Sequence, residues 1–103
     1  MLVLPNKSAK VWTKFLKENK VLVYKYIFRE IKKGIQHNED LVNLFEFEGT
    51  DISAWIPKKN YLTTLQEALR VFVKAEEYEY AGKVTELINT YYIDQLLNDT
   101  TQE

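Results

Sequence analysis

The sequence predicts a mainly α-helical, single small domain of about four helices, with a β-hairpin at 42–56. Three observations carry this. Apolar residues recur at three- and four-residue steps through 8–33 and again through 60–97. Only three glycines and two prolines interrupt the chain, so irregular structure is limited. Between the two helical stretches the apolar pattern switches to alternation. A chain of 103 residues suits one domain and can bury a real core. Hydrophobic residues at 46% and charged residues at 28% are ordinary for a globular protein.

Residues 1–7 read as a lead-in, broken by Pro5 and Asn6. Ser8 suits an N-cap, because its hydroxyl can take a free amide of the first turn. Val11, Trp12, Phe15 and Leu16 then form an apolar stripe. Lys7, Lys10, Lys14 and Lys17 fall on the opposite side of the same helix. After Asn19-Lys20 the run 21–28 is rich in β-branched and aromatic residues. Even so, Val23, Ile27 and Ile31 continue a helical stripe. Lys32-Lys33-Gly34 reads as a helix end, with cations at the negative dipole end and glycine just past it. The two helices over 7–34 have one long kinked helix as their alternative.

His37 to Asp40 is a polar connection. Phe45 and Phe47 alternate with Glu46 and Glu48, Gly49-Thr50-Asp51 signals a turn, and Ile52, Ala54 and Ile56 alternate again. This predicts strands 42–48 and 52–56. The alternative is a short helix over 38–45 followed by a loop. A lone hairpin is marginal in water, so its apolar face must pack on the helices. Pro57 ends the element, and Lys58-Lys59 reads as a solvated loop.

Two amphipathic helices, back to back, follow over 60–97. Asn60 is the expected N-cap. Leu62, Leu65, Leu69 and Phe72 form the first seam, with Ala68 and Val73 beside it. Glu76-Glu77 marks the turn. Ala81, Val84, Ile88 and Tyr91 form the second seam, broadened by Tyr80, Leu87, Tyr92 and Leu96. Ala81-Gly82 is read as a close helix approach. Glu79 can pair with Lys83 at the i, i+4 spacing. The tail 98–103 is expected to fray. The expected core includes Trp12, Leu16, Val23, Ile27, Leu65, Leu69, Phe72, Val84 and Ile88.

No constellation for catalysis stands out. His37 is the only histidine and there is no cysteine. Disulfides, thiolate metal sites and cysteine nucleophiles are thereby excluded. Glu46, Glu48 and Asp51, or Glu76, Glu77 and Glu79, could hold a hard cation, but neither group has an EF-hand loop. No phosphate-cradling glycine loop or nucleophile elbow is present. The expectation is therefore no enzyme, no cofactor and no metal. The start is too short for a leader's apolar region, and no run approaches a membrane span. With the missing cysteines this leads to an expectation of a cytoplasmic protein without membrane contact. The matches to the N-glycosylation pattern at Asn6 and Asn98 are read as chance.

Charge is uneven although the net value is only −1. Residues 1–33 carry nine Lys/Arg and two carboxylates, whereas 34–103 carry five and thirteen. One reading is a polyanion-binding face of Lys7, Lys10, Lys14 and Lys17, with Lys20, Lys25, Arg29, Lys32 and Lys33 beyond it. The favoured reading is attraction between the two parts of one fold, or a solvated face. Tyr78, Tyr80, Tyr91 and Tyr92 crowd the last helix, and tyrosine is enriched where surfaces meet partners.

Residues 74–88 resemble the UVR motif, the helical hairpin at the end of UvrB and within UvrC. In that family an aromatic-Glu-x-Ala-Ala-Lys-Leu-Arg-Asp run is followed by isoleucine. Tyr78, Glu79, Ala81, Lys83, Val84 and Ile88 stand in matching places. Gly82 replaces the second alanine, and Thr85-Glu86 replaces the Arg-Asp pair. The resemblance covers about a third of the chain, at 60–97. It implies a hairpin that binds a like hairpin or a partner subunit, without nuclease or helicase activity. The expected function is thus a non-enzymatic protein-interaction module, an adaptor or accessory subunit, with Tyr78, Tyr80, Leu87, Tyr91 and Tyr92 as contacts. The alternative is a nucleic-acid-binding accessory protein that uses Lys7, Lys10, Lys14 and Lys17.

Overall fold

The chain folds as four helices around one side of a three-stranded sheet. The computed structural model describes the backbone of residues 2–51 and 53–101, and the side chains of the same ranges except 94–96 and 98–101. The order is β1 (Leu2–Leu4), α1 (Ala9–Glu18), α2 (Lys20–Gln36), β2 (Leu41–Phe47), β3 (Ser53–Pro57), a 3-10 turn (Lys58–Asn60), α3 (Tyr61–Lys74) and α4 (Tyr78–Thr101). This is the mainly α domain expected. Ile52 of the expected hairpin, the side chain of Leu96, and Gln102 and Glu103 of the tail lie outside the described residues. The α4 backbone continues to Thr101, beyond the Leu97 end expected.

The hairpin is present, and the helix-plus-loop alternative for 38–45 is not. β2 is the central strand, antiparallel to β3 and parallel to β1. β1 was read as a lead-in, and its three residues are too few to show a period. Parallel pairing needs a long crossover, which α1 and α2 supply. Pairing of β2 with β3 shifts at Leu44, between Asn43↔Trp55 and Phe45↔Ala54. That one-residue bulge puts Leu44 in the core while its neighbour Phe45 also packs against it. Pure alternation would have sent the two to opposite faces.

Ser8 caps α1 as expected, its hydroxyl accepting from the Val11 N–H at 3.4 Å. Asn19 separates α1 from α2, so there are two helices. Gly34 does not end α2. It is a buried interior residue, and the helix runs on to Gln36. The stop is Asn38, in the left-handed region at φ 53°. The N–H of Glu39 reaches the Gly34 carbonyl at 2.8 Å and that of Asn38 reaches Ile35 at 3.1 Å. These are the paired bonds of a Schellman ending, and asparagine tolerates its left-handed position. α3 ends the same way at Glu76 (φ 59°), with Glu77 bonded to Phe72 at 2.8 Å.

Gly34 has a different use. A Cβ there would sit 2.5 Å from Val42 Cγ2 and 3.3 Å from the Tyr61 hydroxyl. The bare Cα lets β2 and α3 close on α2. Gly82 does not serve that purpose, because a Cβ there would meet nothing within 4 Å. Of the Ala81-Gly82 pair only Ala81 is buried. Asn60 makes no side-chain cap bond; the turn Lys58–Asn60 leads into α3 instead, where a loop was expected.

The core is Phe28, Ile31, Val42, Leu44, Tyr61, Leu65, Ala68, Phe72, Ala81 and Val84. Ile27, Leu69 and Ile88 pack against it half-buried. Leu65, Phe72 and Val84 are core as expected. Leu16 is not: it is 41% exposed, and α1 buries no residue at all. Trp12 and Val23 are only half-buried and stand outside that core.

Candidate partner-binding surface

The uncovered side of α1 is the surface the fold leaves unfinished. Its stripe of Val11, Trp12, Phe15 and Leu16 faces inward, yet no further layer closes over it among the described residues. Trp12 meets Phe15 edge to face with centroids 5.7 Å apart, and Phe47 of β2 at 5.8 Å. These rings floor a cleft of about 360 Å³. Leu2 and Leu4 of β1, Leu22, Val23 and Tyr26 of α2, and Phe45 complete its walls, and Lys7 is the sole charge in its lining among the described residues. Leu2, Val3, Val11, Phe15, Leu16 and Leu22 are all more than two-fifths exposed. The Trp12 indole nitrogen is buried and has no hydrogen-bond acceptor among the described residues. An unpaired buried N–H costs free energy.

A second groove of about 530 Å³ adjoins the cleft. The walls Leu2, Leu22 and Tyr26 belong to both. Its lining carries Lys25, Arg29 and Lys32 of α2 and Lys83 of α4, with no carboxylate among the described residues. The Lys25 ammonium lies 4.7 Å above the Tyr80 ring and 3.2 Å from Glu77. Lys83 approaches the same ring at 5.2 Å and pairs with Glu79 at 3.5 Å, the i, i+4 pair expected. The Arg29 guanidinium lies 5.6 Å from the Tyr26 ring centre. Arg29 and Lys32 form no ion pair among the described residues.

Burial raises the Tyr26 phenol above its usual pKa, and the neighbouring Glu30 adds to this by charge and hydrogen bond. The Leu2 N–H and the Arg29 charge oppose that rise. Burial likewise raises Tyr24, Tyr61 and Tyr91. The shared direction favours the neutral phenol at each of these tyrosines. Glu46, Glu48, Asp51 and Glu76 line neither the cleft nor the groove. His37 is exposed at the end of α2. Among the described residues no group of three or more His, Asp or Glu is placed to hold a metal ion. No helix among them is long and apolar enough to cross a membrane.

The expected contact residues on α4 divide between two faces. Tyr80, Leu87 and Tyr91 lie on the packed side. Tyr80 meets Phe72 at 5.4 Å and Phe28 at 6.4 Å, and Tyr91 meets Tyr61 at 6.4 Å. Tyr78 and Tyr92 are 65% and 55% exposed on the opposite side, where Ile93 and Leu97 are also exposed. The four N-terminal lysines do not form one row. Lys10, Lys14 and Lys17 are exposed on α1, but Lys7 precedes the helix and sits at the apolar cleft. Lys14 pairs with Glu18 at 4.0 Å. The link from the basic segment to the acidic one is made instead by Lys25 and Glu77.

The spacing of Lys25, Arg29 and Lys32 at i, i+4 and i+7 already places three groove cations on one helical face. Lys83 joins them only through the packing of α4 on α2. Leu2 and Leu4 enter the site through a strand too short to leave a pattern. Comparisons with protein-family models, with curated proteins and with solved structures return no match.

Proposed function

We propose that the chain is a non-enzymatic protein-interaction module, an accessory domain that docks a partner on the face formed by α1, β1 and the start of α2. One observation supports this above the others: α1 is strongly amphipathic yet buries none of its residues. A helix spends an apolar face only where something covers it, and a contiguous exposed apolar patch is the usual mark of an interaction surface. Rigid aromatic anchors such as Trp12 and Phe15 suit that role. The absence of cysteine fits a cytoplasmic setting. The test is a comparison of retained proteins between wild type and Phe15→Ser/Leu22→Ser. A partner held by wild type and lost by the variant, with unchanged circular dichroism, supports the reading. Equal retention by both rejects it.

The UVR resemblance supports a second contact, through the outer side of the α3–α4 hairpin, where Tyr92, Ile93 and Leu97 are exposed. Nucleic-acid binding remains the alternative, favoured by the exposed lysines of α1. A gel shift abolished by Lys10→Gln/Lys14→Gln/Lys17→Gln at low salt would put it first.

A further inference from the structure

We infer that the segment docked on this face is acidic as well as apolar. Its apolar side chains fill the cleft, and its carboxylates meet Lys25, Arg29, Lys32 and Lys83 in the adjoining groove. This rests on the protein-docking reading and adds the chemistry of the partner.

The argument begins with continuity. Leu2, Leu22 and Tyr26 wall both concavities, so a segment leaving the apolar cleft enters the basic groove. A shallower hollow beside Leu22 and Lys25 adds Lys17 and Lys20 against a single acid, Glu18. Like charges gathered in one groove repel, and focus the field on any anion that approaches. Glu77 and Glu79 each engage one lysine, which leaves Arg29 and Lys32 without a carboxylate among the described residues. Arginine takes a carboxylate in paired, charge-assisted bonds.

The apolar cleft selects among anions. Eleven of its twelve described lining residues are apolar or aromatic, which offers a phosphate backbone nothing. A lipid surface calls for a protruding apolar edge, and this face is concave. An amphipathic peptide segment satisfies both halves, with anchors in the cleft and carboxylates on the cations. Electrostatic complementarity of this kind sets specificity and on-rate.

The test pans a displayed library of random peptides, about 16 residues long to span both concavities, on the intact protein. Enriched sequences are then synthesised and titrated by fluorescence anisotropy. The expected binders combine Asp or Glu with Leu, Ile or Phe. Arg29→Glu/Lys32→Glu should weaken them about ten-fold or more, and added salt should weaken them further. Both residues are exposed, so circular dichroism should not change. Binders without acidic bias, or indifferent to that double reversal, overturn the acidic partner. The docking reading still stands if Phe15→Ser/Leu22→Ser loses them. No enrichment on wild type above Phe15→Ser/Leu22→Ser overturns both. A single-stranded oligonucleotide or an anionic vesicle bound through Arg29 and Lys32, with no peptide retained, overturns the inference in favour of another class. So does concentration-dependent self-association that is lost in Phe15→Ser/Leu22→Ser.

Discussion

α1 and α3 are both amphipathic helices of ordinary length, and the protein treats them in opposite ways. α3 sinks Tyr61, Leu65, Ala68 and Phe72 completely between α2 and α4. α1 meets Phe47 of β2 through Trp12, packs beside α2, and leaves Val11, Phe15 and Leu16 about half exposed. A helical period says that a helix has an apolar face. It does not say whether this chain or another one covers it. The half of the molecule around α3 is held by its own core, and the half around α1 keeps its apolar stripe partly exposed.

The largest test of that contrast is a pair of phenylalanines. Phe72 is fully buried between Tyr80 and the core. Phe72→Ala should lower unfolding free energy by about 3–5 kcal/mol, the usual cost of truncating a buried ring. Phe15 is 42% exposed, and Phe15→Ala should cost under about 1 kcal/mol, near the range of surface substitutions. Urea titrations of both variants decide the matter. Comparable losses would show that α1 belongs to the core after all.

How much of this was legible in the sequence follows the same line. The α3–α4 pair and the hairpin were readable, because their periods are long enough to count and their partners are close in the chain. The core positions Leu65, Phe72 and Val84 came from that periodicity. Leu16 was misread because it has the same spacing but no cover. β1 was missed because three residues cannot show alternation. Gly34 was misread because glycine suits a helix end and a close packing contact equally well. Only the approach of Val42 and Tyr61, distant in sequence, separates the two. The site divides in the same way: the α2 cations share a face by spacing alone, whereas Lys83, Leu2 and Leu4 reach it through tertiary packing.

The two helical glycines give a smaller effect of opposite sign in the two settings. Gly34→Ala gains helix propensity of about 1 kcal/mol. It also places a methyl 2.5 Å from Val42, which is itself buried. Overpacking of that kind costs typically about 1–3 kcal/mol, so a net loss of about 1 kcal/mol is expected. At Gly82 the methyl meets nothing, and Gly82→Ala should stabilise by up to about 1 kcal/mol. Thermal melts of the two variants should shift in opposite directions. A Gly34→Ala protein more stable than wild type would mean that the α2–β2 contact is looser than its geometry implies.

The smallest effect separates two ion pairs, one in each half. Lys25 and Glu77 approach to 3.2 Å, with side chains 29% and 38% exposed, and tie α2 to the turn before α4. Lys14 and Glu18 stand 4.0 Å apart on α1, 75% and 61% exposed. Water screens the second pair almost fully, and two long side chains lose rotamer freedom to form it. The first is partly shielded, shorter, and held further by the Tyr80 ring beneath Lys25. Double-mutant cycles with Lys→Gln and Glu→Gln isolate each pairwise energy. Lys25–Glu77 should couple by roughly 0.5–1 kcal/mol, and Lys14–Glu18 by about zero. Added salt should diminish the first and leave nothing to diminish in the second. Coupling of equal size in both would mean that exposure and separation do not set the strength of these two pairs.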